Sequence, residues 1–308
     1  MRRKRMSAAV RAALMVGMAL LVVSPAASQV VLEGTQKIDF DRPESWAMKY
    51  FAAATMPSAA GTPAPLEAGE FEIGVELGQI PSLSEEERRV GFNGTKVEDL
   101  NRVPYLLRPV VTVGIGKGFA LSASYLPPIE LDGVEPNIFT LTLGRTVVET
   151  DGWRLGLRLA TQIGSAEGDF TCSRGMVAAG DDPEANPFGC EAPSKDKNEF
   201  TTVGLEASSA WTLGSDGAWE PYVALAYHHM DLEFQVNAMY SGLVDRTRLT
   251  TDGEILTAAA GVTYRWGAKW KLTVEAFYAP LDIVRPPSTS AQTEELLSLR
   301  SQLTYRLR

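Results

Sequence analysis

The chain has 308 residues, a formal net charge of −9 and only two cysteines. An acidic chain does not offer the basic surface by which proteins hold nucleic acid, which excludes nucleic acid as a partner. The length suits one large domain or two ordinary ones.

The chain begins with the anatomy of a secretory signal peptide. Residues 2–5 read RRKR, and residues 8–23 are almost entirely apolar. Ala26 and Ser28 then fit the small positions of a cleavage site, which predicts a signal peptide over residues 1–28. An uncleaved anchor helix is the alternative, but the apolar run is shorter than the about 20 residues that a bilayer requires.

Residues 29–66 form an N-terminal extension without strand alternation. Within it, residues 42–55 predict a helix, with Asp41 as N-cap and Pro43 in the first turn. Two placements of this helix are open. It either covers the base of the domain that follows or plugs the interior of that domain, and a disordered extension is the third alternative.

From residue 70 onward, apolar and polar residues alternate repeatedly. In residues 70–77, EFEIGVEL, the side chains of Phe71, Ile73 and Val75 face one way and the glutamates face the other. A period of two is the signature of a half-buried strand. The same pattern predicts ten strands, at residues 70–77, 107–115, 119–125, 139–147, 153–163, 201–213, 219–229, 256–266, 270–278 and 297–307.

The connections between these strands alternate in length. Short turns lie near residues 117, 151, 216 and 268, and long polar loops near 79–105, 127–137, 165–198, 231–253 and 280–294. Short turns at one end and long loops at the other are typical of membrane barrels. The sequence therefore predicts an all-β fold over residues 67–308, a transmembrane antiparallel up-and-down β-barrel of about ten strands. Both ends of the barrel fall at the short-turn end.

Aromatic residues gather beside the short turns. The predicted aromatic girdle consists of Phe119, Trp153, Trp211, Trp219, Trp266, Trp270 and Tyr305. An indole has an apolar body and one N–H, and it therefore suits the level of the lipid headgroups. A soluble β-sandwich also alternates, but it has no reason to collect tryptophans at one end.

In these features the chain resembles Gram-negative outer-membrane β-barrel proteins. The resemblance implies the cell outer membrane as location. It also implies outer-membrane lipid, lipopolysaccharide and the barrel-assembly machinery as partners. Such proteins usually end in an aromatic residue, whereas here Tyr305 is near the end and Arg308 is last.

The polar face of the strands is charged and predicts a charge network in the lumen. Its members are Glu70, Glu72, Glu76, Arg154, Arg158, Glu206, Glu275, Arg300 and Arg306. Arg158 and Glu206 fall on the fifth and sixth strands, where opposite charges stabilise strand pairing. The network is either a structural ladder that fills a narrow lumen or a charged constriction that selects solutes.

Closure of the barrel makes the first and last strands neighbours. In an unstaggered register, Glu70 lies opposite Arg306. The same register places Glu76 opposite Arg300.

The only two histidines, His228 and His229, adjoin and are followed by Asp231. Apolar residues change from odd to even positions here, which predicts a bulge. Outer-membrane proteases of the omptin type use an Asp–His pair near the outer rim, and His228 or His229 with Asp231 resembles that pair. A rim hydrolase is therefore the alternative function, although the Asp-x-Asp partner of that family is missing from the early strands.

The preferred interpretation is a barrel that is not an enzyme. The sequence shows no metal-spaced ligand cluster, nucleophile elbow or phosphate loop, and hence predicts no cofactor and no metal. The predicted function is a narrow channel or passive transporter for small or apolar solutes, or a structural barrel with extracellular loops. Cys172 and Cys190 fall in one long loop, and an even pair in an exported protein predicts a disulfide.

Overall fold

The computed structural model describes residues 30–63, 66–214 and 217–307. The predicted signal peptide lies outside these residues. The elements in chain order are β1 (Val30–Lys37), α1 (Pro43–Ala54), β2 (Phe71–Gln79), β3 (Arg89–Val90), the short helical turn α2 (Gly91–Gly94), β4 (Lys96–Val97), β5 (Tyr105–Gly116), β6 (Phe119–Leu126), β7 (Val134–Thr150), β8 (Trp153–Gly168), α3 (Arg174–Ala178), β9 (Cys190–Ala192), β10 (Asp196–Trp211), β11 (Trp219–Gln235), β12 (Ala238–Tyr240), β13 (Leu243–Trp266), β14 (Trp270–Ile283) and β15 (Gln292–Arg306).

Ten of these strands form a closed antiparallel barrel: β2, β5, β6, β7, β8, β10, β11, β13, β14 and β15. Each strand pairs with its neighbours along this series, and β15 pairs with β2 to close the ring. This confirms the predicted all-β up-and-down architecture. Every predicted strand overlaps one strand of the barrel, and the observed strands mostly extend further toward the long-loop end. No helix among the described residues is long and apolar enough to cross a membrane.

The outer surface of the barrel carries a band of apolar side chains with a sharp border toward the long loops. Tyr227 on β11 is 55% exposed, and the next outward position is His229. On β13 the border falls between Leu256, 57% exposed, and Glu254. Large apolar groups exposed in a continuous band are stable against lipid and not against water.

Beyond this border the apolar side chains turn inward. Met230 and Leu232 on β11 are fully buried. The pairing of β11 with β10 and β13 nevertheless continues without a register shift, so the bulge predicted at His228 is wrong. The apolar residues change parity because the surroundings of the strand change. The strand passes from a lipid-facing level to a level where its outer face meets water and its inner face meets a packed core.

Helix α1 supplies the centre of that core. Trp46, Met48 and Tyr50 are each 2% exposed or less, and the helix contacts β10, β11, β14 and β15. Of the two placements that the sequence left open, the structure shows the second: α1 plugs the interior of the barrel. The N-cap position is occupied by Arg42 and not by the predicted Asp41.

From Ile38 onward, the N-terminal extension enters the barrel and continues toward the short-turn end. β1 pairs with the long-loop part of β13, where Ile38 donates to the carbonyl oxygen of Thr250. After α1, the chain descends to the short-turn end, where Gly69 donates to the carbonyl oxygen of Gly114. The barrel strands themselves begin and end at the short-turn end, as predicted, whereas residue 31 lies at the long-loop end.

The loop between β8 and β10 contains the predicted disulfide. Cys172 and Cys190 are bonded and have buried side chains, which confirms the pairing. Asp196 supports the base of this loop, because its carboxylate accepts hydrogen bonds from the amide of Thr171 and the hydroxyl of Ser194, both at 2.6 Å.

Candidate functional site

Two buried arginines hold the C-terminal end of α1. Arg108 on β5 donates to the carbonyl oxygens of Thr55, 2.8 Å away, and Met56, 2.9 Å away. Arg300 on β15 donates to the carbonyl oxygens of Met56, at 2.9 Å, and Ala53, at 3.3 Å. The last carbonyl groups of a helix lack intrahelical partners and carry partial negative charge, which favours cations there.

Glu76 pairs with Arg108 through two hydrogen bonds, at 2.8 and 3.1 Å. The predicted pairing of Glu76 with Arg300 is wrong, because Glu76 faces Gln302 and Arg300 faces Gly78 in the register of β2 and β15. Strands in a closed barrel are staggered by a fixed shear, and an unstaggered alignment ignores it.

The same stagger changes the partner of Arg306. This side chain meets Glu72, 2.9 Å away, which also binds the ammonium of Lys271 at 2.5 Å. The predicted pairing of Arg306 with Glu70 is therefore wrong, and the carboxylate of Glu70 instead accepts the backbone amide of Glu67.

Two further arginines of the predicted network also have acidic partners. Arg158 lies 2.7 Å from Glu206, its cross-strand neighbour as the sequence indicates, and donates to the carbonyl oxygen of Gly61 at 2.9 Å. Arg154 is paired with Glu220. The sequence-based network lacks several participants that occupy the polar faces of its strands: Arg108, Glu220, Arg265 and Lys271.

Glu275 ties the segment after α1 to the barrel wall. Its carboxylate accepts hydrogen bonds from the hydroxyl of Ser58 at 2.7 Å, the amide of Ala60 at 3.1 Å and the hydroxyl of Tyr222 at 2.7 Å. The charged side chains thus clamp residues 53–61 within the lumen. A cavity of about 110 Å³ remains beside this segment.

Two larger, apolar cavities flank α1 toward the long-loop end. Each has a volume of about 310 Å³. One lies between α1 and the region of β12 and β13, and the other lies between α1 and the wall of β5 to β8. Phe51, Leu100 and Phe170 line both, and the rings of Phe51 and Phe170 are 5.0 Å apart. These side chains form the partition between two adjoining cavities.

The polar groups in the second cavity are already hydrogen-bonded within the protein. The hydroxyl of Tyr50 donates to the carbonyl oxygen of Pro81 at 2.7 Å. The hydroxyl of Thr55 donates to the carbonyl oxygen of Phe51 at 2.8 Å. What remains for an occupant is hydrocarbon surface, which is the usual lining of a small-molecule site.

The histidines do not assemble into the Asp–His pair of the alternative hydrolase. His228 faces the interior, 3.1 Å from the hydroxyl of Thr257. His229 and Asp231 face outward, with His229 lying 3.6 Å from Glu254. In the described part of the chain, no group of three or more His, Cys, Asp or Glu residues is arranged to hold a metal ion.

The predicted aromatic girdle lies at the short-turn end. A continuous series of ring contacts, with centroids 4.6–6.0 Å apart, joins Trp219, Tyr264, Trp266, Trp270 and Tyr305. Trp153 and Trp211 are register partners, and Arg145 lies over the ring of Phe119. Tyr264 takes part although the sequence-based set lacks it.

No protein-family model and no curated protein matches this chain. Among solved structures, it is similar to the attachment invasion locus protein Ail of Yersinia pestis, with 11% identity over 78% of this chain and 99% of Ail, at a TM-score of 0.32. It is similar to the outer-membrane protease OmpT of Escherichia coli, with 9% identity over 77% and 92%, at a TM-score of 0.37. A third is the toluene transporter TbuX of Ralstonia pickettii, with 10% identity over 83% and 94%, at a TM-score of 0.31.

These three proteins differ in what they do, and a shared fold does not carry a function with it. The architecture of this chain rests on its own strand pairing, its apolar outer band and its aromatic girdle. Those three features make it an antiparallel β-barrel of the outer-membrane type.

Proposed function

We propose that this protein is an outer-membrane barrel that binds small, uncharged apolar solutes in the cavities around α1 and passes them through the outer part of the membrane. The observation that carries this proposal is the pair of adjoining apolar cavities that meet at Phe51 and Phe170.

The lumen is filled, which does not favour an open diffusion channel. Residues 53–61 occupy it and are fixed by Arg108, Arg158, Glu275 and Arg300. Hydrogen bonds that involve charged groups contribute about 1.5–3 kcal/mol each, so several of them together hold the segment firmly. The proposal therefore assigns this network to the plug and not to the selection of ions.

The second cavity favours a hydrocarbon ligand. The volumes of both cavities fall at the lower end of the range for small-molecule sites, about 300–1,000 Å³. An ionic ligand in the second cavity would lose its hydrating water and find no counter-charge there. The guanidinium of Arg102, which lines this cavity, is already paired with Asp99 and Asp169. Burial of an unpaired charge is costly, whereas burial of apolar surface is favourable.

Titration with an apolar fluorescent probe such as N-phenyl-1-naphthylamine tests the proposal. Ile138 is 2% exposed and lines the second cavity, and Ile138→Phe narrows it. We expect probe affinity to fall about tenfold, which corresponds to about 1.4 kcal/mol. Ile163→Phe, on the outward face of the next strand, is the matched control and should leave the affinity unchanged.

Conductance in a planar bilayer tests the closed lumen. The wild-type protein should give no steady channel steps while it still binds the probe. Probe affinity that is the same in Ile138→Phe and wild type, or regular ion steps from the wild type, would contradict the proposed function.

A further inference from the structure

The barrel wall has a gap between β5 and β6. Their pairing reaches Val110 opposite Ser124 and goes no further toward the long loops. β5 nevertheless continues to Tyr105, paired with β2 on its other side, and β6 continues to Leu126, paired with β7. Among the described residues, those at 105–109 of β5 thus have no strand partner on the side of β6.

The second apolar cavity passes through this gap. Leu106 and Leu107 both line it. Adjacent residues of a strand point to opposite faces, so Leu106 faces the interior and Leu107 faces outward. The lining of this cavity thus includes residues of both faces of β5 beside its free edge.

The gap lies at the outer border of the apolar band. Leu107 is 62% exposed and pairs with Leu77, the last apolar outward residue of β2. The next outward pair is Tyr105 with Gln79, which marks the change to a polar level. The opening therefore faces the outer part of the lipid layer.

Prolines lower the cost of a free strand edge at this level. Unpaired backbone groups are expensive in lipid, where water cannot satisfy them. Pro109 lies in the unpaired part of β5, and Pro127 and Pro128 follow β6 directly. Proline has no amide hydrogen, so each of these residues removes a donor that would otherwise need a partner.

The mouth of the opening is apolar. Tyr105 and Leu107 on β5 and Ile129 and Leu131 after β6 line it, with exposures of 50–62%. Inside, the lining continues through buried side chains, namely Leu106, Leu126, Ile138 and Phe200. Apolar surface is thus continuous from the lipid-facing wall to the flank of α1.

We propose that the gap between β5 and β6 is a lateral portal by which an uncharged apolar solute passes between the cavity beside α1 and the outer leaflet. This inference rests on the proposed function, because it supplies the route for the solute that the cavity binds. The solute keeps contact with hydrocarbon throughout and crosses neither the charged lumen nor the polar loops.

Release of a bound apolar probe from the protein into lipid vesicles tests the portal. Ile129→Trp places a large side chain at the mouth and substitutes none of the buried residues that line the inner part of the cavity. We expect entry and release of the probe both to slow about tenfold, because a narrower mouth raises the same barrier in both directions and so leaves the equilibrium affinity unchanged. Ile129→Ala widens the mouth and should speed release. Leu159→Trp, outward on β8 where both edges are paired, is the matched control and should have no effect.

The outcomes separate the portal from the proposed function. If the wild-type protein does not bind the probe, the proposed function fails. If the probe binds but both Ile129 variants release it at the wild-type rate, the proposed portal is wrong, whereas the proposed binding of solutes in the cavity is unaffected. A photoactivatable phospholipid provides a further arm. Crosslinking of its acyl chain to Leu126 or Ile138 with no displacement by the probe would show a resident lipid and overturn the solute route.

Discussion

Arg300, on the last strand of the barrel, donates a hydrogen bond to the carbonyl oxygen of Met56, 2.9 Å away, just beyond the end of α1. Residues far apart in the sequence are thus joined where barrel and plug meet. The guanidinium also lies 3.7 Å from the centre of the Phe277 ring, and the side chain is 2% exposed.

Arg300→Met should loosen the plug without opening the barrel wall. The variant loses hydrogen bonds from a charged donor, which costs about 2 kcal/mol locally. Hydrogen exchange of the α1 amides should therefore accelerate, because local opening becomes easier. Arg306→Met on the same strand is the control, since Arg306 binds Glu72 and not the plug. Equal α1 protection in both variants would mean that Arg300 does not hold the helix.

Glu76→Gln should destabilise the barrel through Arg108. Both side chains of this pair are almost fully buried, 3% and 1% exposed. Removal of one charge from a buried pair costs about 3–5 kcal/mol, because the other remains without a counterion. The midpoint of urea unfolding in detergent should fall accordingly. Glu70→Gln on the same polar face should change stability by less than about 0.5 kcal/mol, as expected for a surface site.

The partner of Glu76 illustrates what the sequence can and cannot supply. Alternation places Glu76, Arg108 and Arg300 on the inner face of their strands, and strand neighbours follow from chain order. The stagger of a closed barrel is a property of the whole ring, and no local pattern in β2 or β15 records it. The prediction therefore had the correct face and the correct strand neighbours, but it placed the partner of Glu76 on β15, whereas Arg108 lies on β5.

The sequence indicates the position of α1 only indirectly, through the alternation of a barrel strand and not through the helix itself. Tyr227 and Leu232 have opposite parity on β11, yet the strand has no bulge. Such a reversal indicates that the apolar side of the wall changes from outside to inside, which requires something apolar in the lumen. The helix sequence carries no such signal, because α1 is covered on most sides and shows no exposed polar face to orient it.

Lys49 should make the free energy of unfolding rise with pH in the alkaline range. Burial in the plug lowers the pKa of this ammonium to about 8, against 10.5 for an ordinary lysine. The folded state therefore binds fewer protons than the unfolded state between these values, and stability rises with pH across that window, by at most about 3 kcal/mol. Lys49→Met should flatten the rise in urea titrations from pH 8 to 10. The exposed Lys37→Met should keep it, and a rise of the same size in Lys49→Met would refute this assignment.

The disulfide should stabilise its loop and not the barrel. Cys172 and Cys190 close a loop outside the ring of paired strands, and a loop of this order gains about 3 kcal/mol from closure. Replacement of both cysteines by serine should increase trypsin cleavage after Arg174. Heat-dependent gel mobility, which reports the closed barrel, should stay the same. Loss of that mobility shift in the double variant would show that the loop supports the barrel itself.

An epitope tag inserted between Gln29 and Val30 should be accessible on intact cells. Long loops of outer-membrane barrels face outward. The contacts of Lys37 with Asp252 and of Ile38 with Thr250 place the end of β1 at that level, although β2 starts at the opposite end. A tag at Asp181 should also be labelled, whereas a tag after Arg308 should require permeabilised cells.

The three tags together separate two errors. Labelling only after Arg308 would invert the orientation of the barrel. Labelling at Asp181 without labelling before Val30 would leave the orientation intact but show that residues 38–61 do not pass through the lumen in cells. Both tests measure surface exposure directly, and they do not depend on which solute the cavities bind.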